Sequence, residues 1–147
     1  MFELSIVIPC YNESKSLAKL FEACYVACAS RKDIQFIFVN NGSIDDTEIT
    51  LNQLLLEKKY SFGKLVHVEK NQGYGYGILQ GLKEAEGKII AWTHADLQTD
   101  LNDIIMALGL IENSKEPWLL IKGSRKNRPL IDRFFSATMS CFESILF

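Results

Sequence analysis

The residues able to do chemistry in this 147-residue chain lie in five short polar clusters, each behind an apolar run, the third after a two-residue polar spacer. They are PCYNE at 9–13, NNGS at 40–43, NQGYGYG at 71–77, THADLQ at 93–98 and KGSR at 122–125. Glu13 and Asp96 bring carboxylates and Gln98 a carboxamide oxygen, groups that accept hydrogen bonds and that hard divalent cations prefer. His94 adds an imidazole, which binds Mn2+ but suits Mg2+ poorly. Arg125, Arg128 and Arg133 carry guanidinium forks that pair phosphate oxygens in bidentate fashion. Each has a plainer reading alone: Glu13 a helix N-terminus, Gly42 and Ser43 a turn, Asp96 a helix cap, His94 a polar loop residue, the arginines a solvated basic turn. The ordered set of five outweighs them.

Elements that would position these clusters follow from the periodicity. Apolar runs at 5–8, 36–39, 65–68, 88–92 and 118–121 alternate with segments of helical period, the pattern of a parallel α/β sheet. Asn12 is placed to cap a first helix with Leu17, Leu20, Phe21, Cys24 and Cys28 on one face. Asp45 and Glu48 resemble a capping box ahead of Leu51, Leu54 and Leu55. Ile78, Leu82 and Ala85 face inward on a third helix closed by Gly87, and Leu101, Ile104, Ile105, Leu108 and Ile111 mark a fourth. In open parallel sheets ligands bind outside the carboxyl ends of the strands, where all five clusters fall.

Composition narrows the class. The chain is 48% hydrophobic and 23% charged, as a folded domain requires, and its net charge of -2 gives no electrostatic case for nucleic acid. Cys10, Cys24, Cys28 and Cys141 lack a zinc spacing with His67 or His94, and read as small buried hydrophobes in a reducing cytosol. No basic leader precedes the first strand, and no apolar run reaches the ~18–20 residues of a membrane span. The expected location is cytoplasmic or peripheral on the inner membrane face. Ile131, Phe134, Phe135, Met139, Phe142, Ile145, Leu146 and Phe147 make a tail helix too apolar for an ordinary surface, which suggests an interface, a membrane contact or missing protein.

Five segments carry a resemblance: SIVIPCYNE at 5–13, VNNGSID at 39–45, NQGYG at 71–75, ADLQ at 95–98 and GSR at 123–125. In this order they resemble a family 2 glycosyltransferase of the GT-A fold, especially the branch of dolichol-phosphate mannose synthases and bacterial polyprenyl-phosphate glycosyltransferases. The resemblance implies an α/β, Rossmann-like domain around a nucleotide-diphosphate sugar, over residues 1–125, followed by the start of an acceptor, membrane or interface region over 126–147. It implies Mg2+ or Mn2+ held by Asp96 and Gln98, with His94 a third candidate because it replaces the motif's first acidic residue. It implies donor contacts from Pro9, Tyr11, Glu13, Asn40, Asn41, Asn71, Gly73, Ala95 and Asp96, with Asn40 and Asn41 standing where similar proteins carry acidic residues.

The implied reaction is transfer of a hexose with inversion, Asp96 and Arg125 being the residues placed in the catalytic role. The acceptor is a lipid phosphate or a growing glycan. A phosphate acceptor needs no protein base; a hydroxyl would, and only Asp100 and Asp132 offer one. The competing reading is a non-catalytic nucleotide-sugar-binding fragment or assembly module lacking the acceptor half. A nucleotidyltransferase would carry a glycine-rich basic loop after the first strand, where PCYN stands instead. A dinucleotide fingerprint would follow the first strand, whereas the glycine run here follows the third. The tail helix is expected to meet a membrane surface or a second copy.

Overall fold

The structure is a computed structural model describing residues 2–29, 31–116 and 118–123. Four strands form one parallel sheet: β1 (Leu4–Cys10), β2 (Ile34–Asn41), β3 (Gly63–Val68) and β4 (Ile89–Trp92), in the order β3-β2-β1-β4. Helices α1 (Leu17–Ala27), α2 (Thr47–Leu55), α3 (Tyr74–Leu82) and α4 (Leu101–Glu112) separate or follow them. The register runs from Leu4 opposite Ile34 to Cys10 opposite Asn40, so β1 and β2 end together.

Every residue of β1 and β2 is buried, which explains why their sequences are apolar runs rather than alternations. The two sheet faces are nonetheless distinct. Ile6, Ile8, Phe36 and Phe38 pack with Leu17, Leu20 and Phe21 of α1, Leu51 of α2, and Leu101 and Leu108 of α4. Val7, Ile37 and Val39 pack on the other side with Tyr76 and Leu82 of α3. The Phe21 and Phe38 rings stack at 4.2 Å, and Tyr60 meets Phe21 edge-on at 5.1 Å. The glycines of α3 let it lie directly on the sheet. A Cβ at Gly81 would collide with Val7 and Val39, and one at Gly77 would press on Asn41 and Pro9.

The chain proceeds from β1 through β2 to β3, then returns to place β4 on the free side of β1. The reversal falls between β1 and β4, so their carboxyl ends mark the switch point where sheets of this kind take ligands.

Several sequence expectations are corrected. Asn12 does not cap α1: the helix begins after Ser16, and the Asn12 side chain instead accepts the Ile44 N–H at 2.9 Å. The capping box does not close, because the Glu48 carboxylate turns to Asn40 and His67 while Asp45 takes the Thr47 N–H. Third, α3 ends at Leu82, well before Gly87, whose missing Cβ leaves room for the backbone of Ser5. Residues 118–121 form no strand: an apolar run becomes one only by pairing, and no ladder reaches it among the described residues. The chain divides into compact units at 1–116 and 117–147, the second described only over 118–123. Arg125, Arg128, Arg133, Asp132, Cys141 and the apolar segment 131–147 lie outside the described residues.

Candidate functional site

Side chains lace the four strand exits together. Between the exits of β1 and β2, Asn12 N–H donates to Ser43 Oγ at 3.1 Å, Glu13 N–H to Thr47 Oγ1 at 2.8 Å, and Ser14 Oγ–H to Asp45 Oδ2 at 2.7 Å. Asp45 Oδ1 holds the other side of the join through the Thr47 N–H and hydroxyl. Desolvation acts to raise the Asp45 pKa, but the donors from Thr47 and Ser14 together outweigh it and hold the group at about 2. Asn12 sits at φ 56°, a left-handed position that asparagine tolerates, so the loop makes its turn at that residue.

This clamp presents Tyr11 and Glu13. Tyr11 is 44% exposed, leaving an aromatic face available. The half-buried Glu13 carboxylate accepts the Ser16 hydroxyl, which orients it. A hollow of about 520 Å³ opens beside them, lined by Asn12, Glu13, Ser14, Lys15, Ser16, Asp45 and Asp46. Three carboxylates against one lysine make it a place for hydroxyl or amide donors rather than for phosphate.

At the end of β2 the two asparagines have different duties. Asn40 is 1% exposed and satisfied inside the protein, donating to Glu48 at 3.2 Å and accepting the Ser43 N–H at 3.2 Å. Asn41 is 2% exposed and donates Nδ2–H to Gly73 O at 3.1 Å, joining β2 to the entrance of α3. Its Oδ1 is buried without a partner among the described residues. A buried, unpaired amide oxygen costs roughly 1–3 kcal/mol, so of the two asparagines Asn41 is the one with an acceptor to offer.

The third exit is the glycine run. Gly73 adopts φ 99°, and its N–H donates to Asn71 Oδ1 at 2.7 Å. A Cβ at Gly73 or Gly75 would meet nothing within 4 Å, so this backbone faces open space while Gly77 and Gly81 face the sheet. The run thus divides into an exposed approach and a packing surface.

At the fourth exit, Ala95 is buried and Asp96 exposed. Asp96 Oδ1 accepts the Gln98 N–H at 3.0 Å across Leu97, which sits at φ 58°, so the turn draws Asp96 and Gln98 together. The His94 ring lies flat on Tyr74, centroids 4.7 Å apart and planes 12° off parallel. Tyr74 O–H donates to Thr93 O at 3.3 Å. Burial, then the Asp96 charge, pushes the Tyr74 phenol up. Asp100 is engaged as the cap of α4, accepting the Asn102 N–H at 2.9 Å. Residues 122–123 are described, but the rest of the KGSR cluster, Arg125 included, is not.

No three His, Cys, Asp or Glu side chains converge among the described residues. Among the described residues of the β4 exit, exposed Asp96 and Gln98 could offer a cation one carboxylate and one carboxamide, too few for an ion held by protein alone. That donor set fits Mg2+ or Mn2+ arriving with a diphosphate, which completes the shell with its own oxygens and water. Cys10 and Cys24 are buried free thiols whose pKa burial pushes up. Burial, followed by the Asp33 charge, holds Cys28 at about 11. All three behave as packing residues.

Residues 5–128 match the Glycosyl transferase family 2 domain. The chain belongs to that family. Within it, the chain is 32% identical over 127 residues to a dodecaprenyl-phosphate galacturonate synthase of Rhizobium johnstonii, covering 86% of this chain and 37% of that protein. It is 28% identical over 140 residues to an undecaprenyl-phosphate 4-deoxy-4-formamido-L-arabinose transferase of Proteus mirabilis, covering 94% and 41%. The chain spans about two fifths of the length of these relatives. The fold is similar to part of the Pyrobaculum calidifontis mannosyltransferase PcManGT in complex with GDP-Man and Mn2+, with TM-score 0.66, 19% identity, and 78% of this chain against 33% of that one. S. aureus TarS 1-349 in complex with UDP-GlcNAc aligns with TM-score 0.64 and 21% identity, over 76% and 31%. This family 2 chain is thus a GT-A domain with a parallel sheet, as the motif order implied.

In or just beyond the polar clusters, sequence reasoning passed over three residues that build the site. Ser14 and Thr47 hold the β1 exit through Asp45, and Tyr74 crosses from α3 to the β4 exit. Serine and threonine near turns are common, and Tyr74 lay inside a run read only for its glycines.

Proposed function

We propose that this chain is the donor-binding half of a metal-assisted, inverting glycosyltransferase that moves a sugar from a nucleotide diphosphate to a polyprenyl phosphate. The observation that carries the reading is the lacing of four strand exits along one edge of the sheet, with exposed Asp96 at one exit and the unpartnered Asn41 Oδ1 at another. Relatives named for dodecaprenyl- and undecaprenyl-phosphate support the acceptor class, and neighbours bound to GDP-Man and UDP-GlcNAc support the donor class.

In this reading Tyr11 stacks on the base, while Glu13 and Asn41 accept its donors or those of the ribose. The backbone at Asn71 and Gly73, with Pro9 and Ala95, shapes the approach to the sugar diphosphate. Asn40, closed on Glu48 and Ser43, holds the β2 exit in place beside the donor. Asp96 and Gln98 hold Mg2+ or Mn2+, which when bound offsets charge on the departing diphosphate. An acceptor phosphate oxygen attacks the anomeric carbon from the face opposite the nucleotide. A new C–O bond forms as the bond to the diphosphate breaks, and configuration inverts. The acceptor is already anionic, so no protein base is required. Arg125 neutralises acceptor or diphosphate charge, and the basic stretch 125–133 with the apolar segment behind it favours work at the inner face of a membrane.

Isothermal titration with UDP- and GDP-sugars, with and without Mn2+, tests this. Metal-dependent binding is expected, weakened at least about tenfold by Asp96→Asn. The absence of binding to any nucleotide sugar would sink the reading. Binding with no transfer to polyprenyl phosphate would instead favour a donor-binding module.

A further inference from the structure

We propose that Tyr74 and His94 are a stacked pair of positioning residues, in which His94 anchors the β4 exit to α3 and does not ligate metal. The inference rests on the donor reading above and assigns a role to the one residue of the metal motif that departs from the acidic type.

Three observations on two separate elements support it. The rings of Tyr74 and His94 overlap at 4.7 Å with only 12° between planes, a geometry that commits the imidazole face to the phenol. Tyr74 fastens the same segment a second time by donating its hydroxyl to Thr93 O at 3.3 Å, the residue just before His94. Tyr74 is itself the first residue of α3, immediately after Gly73, whose carbonyl is held by Asn41. The pair therefore completes a chain of contacts from β2, through the start of α3, to the residues flanking Asp96. The backbone there needs such support. Leu97 occupies a left-handed φ of 58°, a conformation unfavourable for a non-glycine residue that persists only where surrounding contacts offset its strain. Proximity is also seen in the influence of the Asp96 charge on the Tyr74 phenol. What a ligand would need is an imidazole nitrogen presented to the metal; what stacking needs is only a flat ring. The two roles are chemically separable.

His94→Phe keeps a flat ring and removes both nitrogens, whereas His94→Ala removes the ring. Binding of a UDP- or GDP-sugar is measured by titration against Mn2+ and, separately, against Mg2+. His94→Phe is expected to retain wild-type affinity and the wild-type Mn2+/Mg2+ ratio, while His94→Ala and Tyr74→Leu each weaken binding about three- to tenfold, the scale of an aromatic pair. The double variant is expected to be no weaker than either single one. A His94→Phe protein as weak as His94→Ala, with Mn2+ preference lost, would overturn the proposal and make His94 a ligand. A second readout needs no ligand: the His94 ring protons in the NMR spectrum should be shifted upfield by Tyr74 and lose that shift in Tyr74→Leu. An unshifted ring in the wild-type protein would refute the stack. If the shift is present and no nucleotide sugar binds, the donor reading fails and the stack remains.

Discussion

Two glycines of one helix should respond in opposite directions to the same substitution. In α3, Gly75 has open space where a Cβ would go, while a Cβ at Gly81 would collide with Val7 and Val39. Alanine is favoured over glycine in a helix by about 0.8–1 kcal/mol, so Gly75→Ala should stabilise the protein, by about 0.5 kcal/mol near the helix start. At Gly81 the same gain is set against overpacking on a fully buried β1, which costs about 1–3 kcal/mol. The net for Gly81→Ala is a loss of about 1 kcal/mol, reaching about 2 if Val7 cannot move. Urea denaturation of the two variants reads the signs directly. Truncating the obstacle supplies the control: Val7→Ala alone opens a cavity, but combined with Gly81→Ala the two losses should fall short of their sum by at least about 1 kcal/mol. Lifting α3 would also draw Gly73 O from Asn41, so Gly81→Ala should bind donor more weakly than Gly75→Ala. Equal stabilisation by both alanines, or strict additivity with Val7→Ala, would refute the claim that α3 rests on the sheet through Gly81.

Three further outcomes follow from the same geometry. Asp45 has a folded pKa of about 2, below its ordinary 3.8, so its contribution is present above pH 4 and lost as pH falls toward 2. The full shift corresponds to about 2.4 kcal/mol, which exposure to solvent reduces to about 1; Asp45→Ala should lose that much at pH 7 and flatten the acid limb of a stability–pH curve. Asn41→Asp would set a carboxylate against Gly73 O in a buried place, costing about 1–3 kcal/mol at pH 7 and less at pH 4, where a raised pKa lets it protonate; denaturation at the two pH values checks this. Alkylation mapped by mass spectrometry should modify Cys28 before Cys10 and Cys24, since Cys28 is only part-buried; labelling of Cys10 in the native protein at the Cys28 rate would contradict the burial.

The sequence by itself determined the architecture, because apolar runs without alternation become parallel strands only when helices cover both faces. Four of five strands, four helices and the order of the polar clusters were legible this way. Apolarity at 118–121 misled because a strand is made by a partner's ladder, which composition does not contain. Helix starts were misplaced for a related reason. Asn12, Asp45 and Glu48 have the right types for local caps, but their side chains were drawn to partners across the site, Ile44, Ser14 and His67 among them. Asn40 and Asn41 are the sharpest case. They are adjacent and identical in type, and strand geometry alone sends successive side chains to opposite faces. Only the tertiary structure decided that Asn40 closes on Glu48 and Ser43 while Asn41 keeps a buried oxygen unpaired. The same holds for Tyr74 and His94, which lie twenty residues apart in the chain and meet only because β4 returns to the side of β1. Residue type set what each group can do; the sheet's reversal decided which of them do it together.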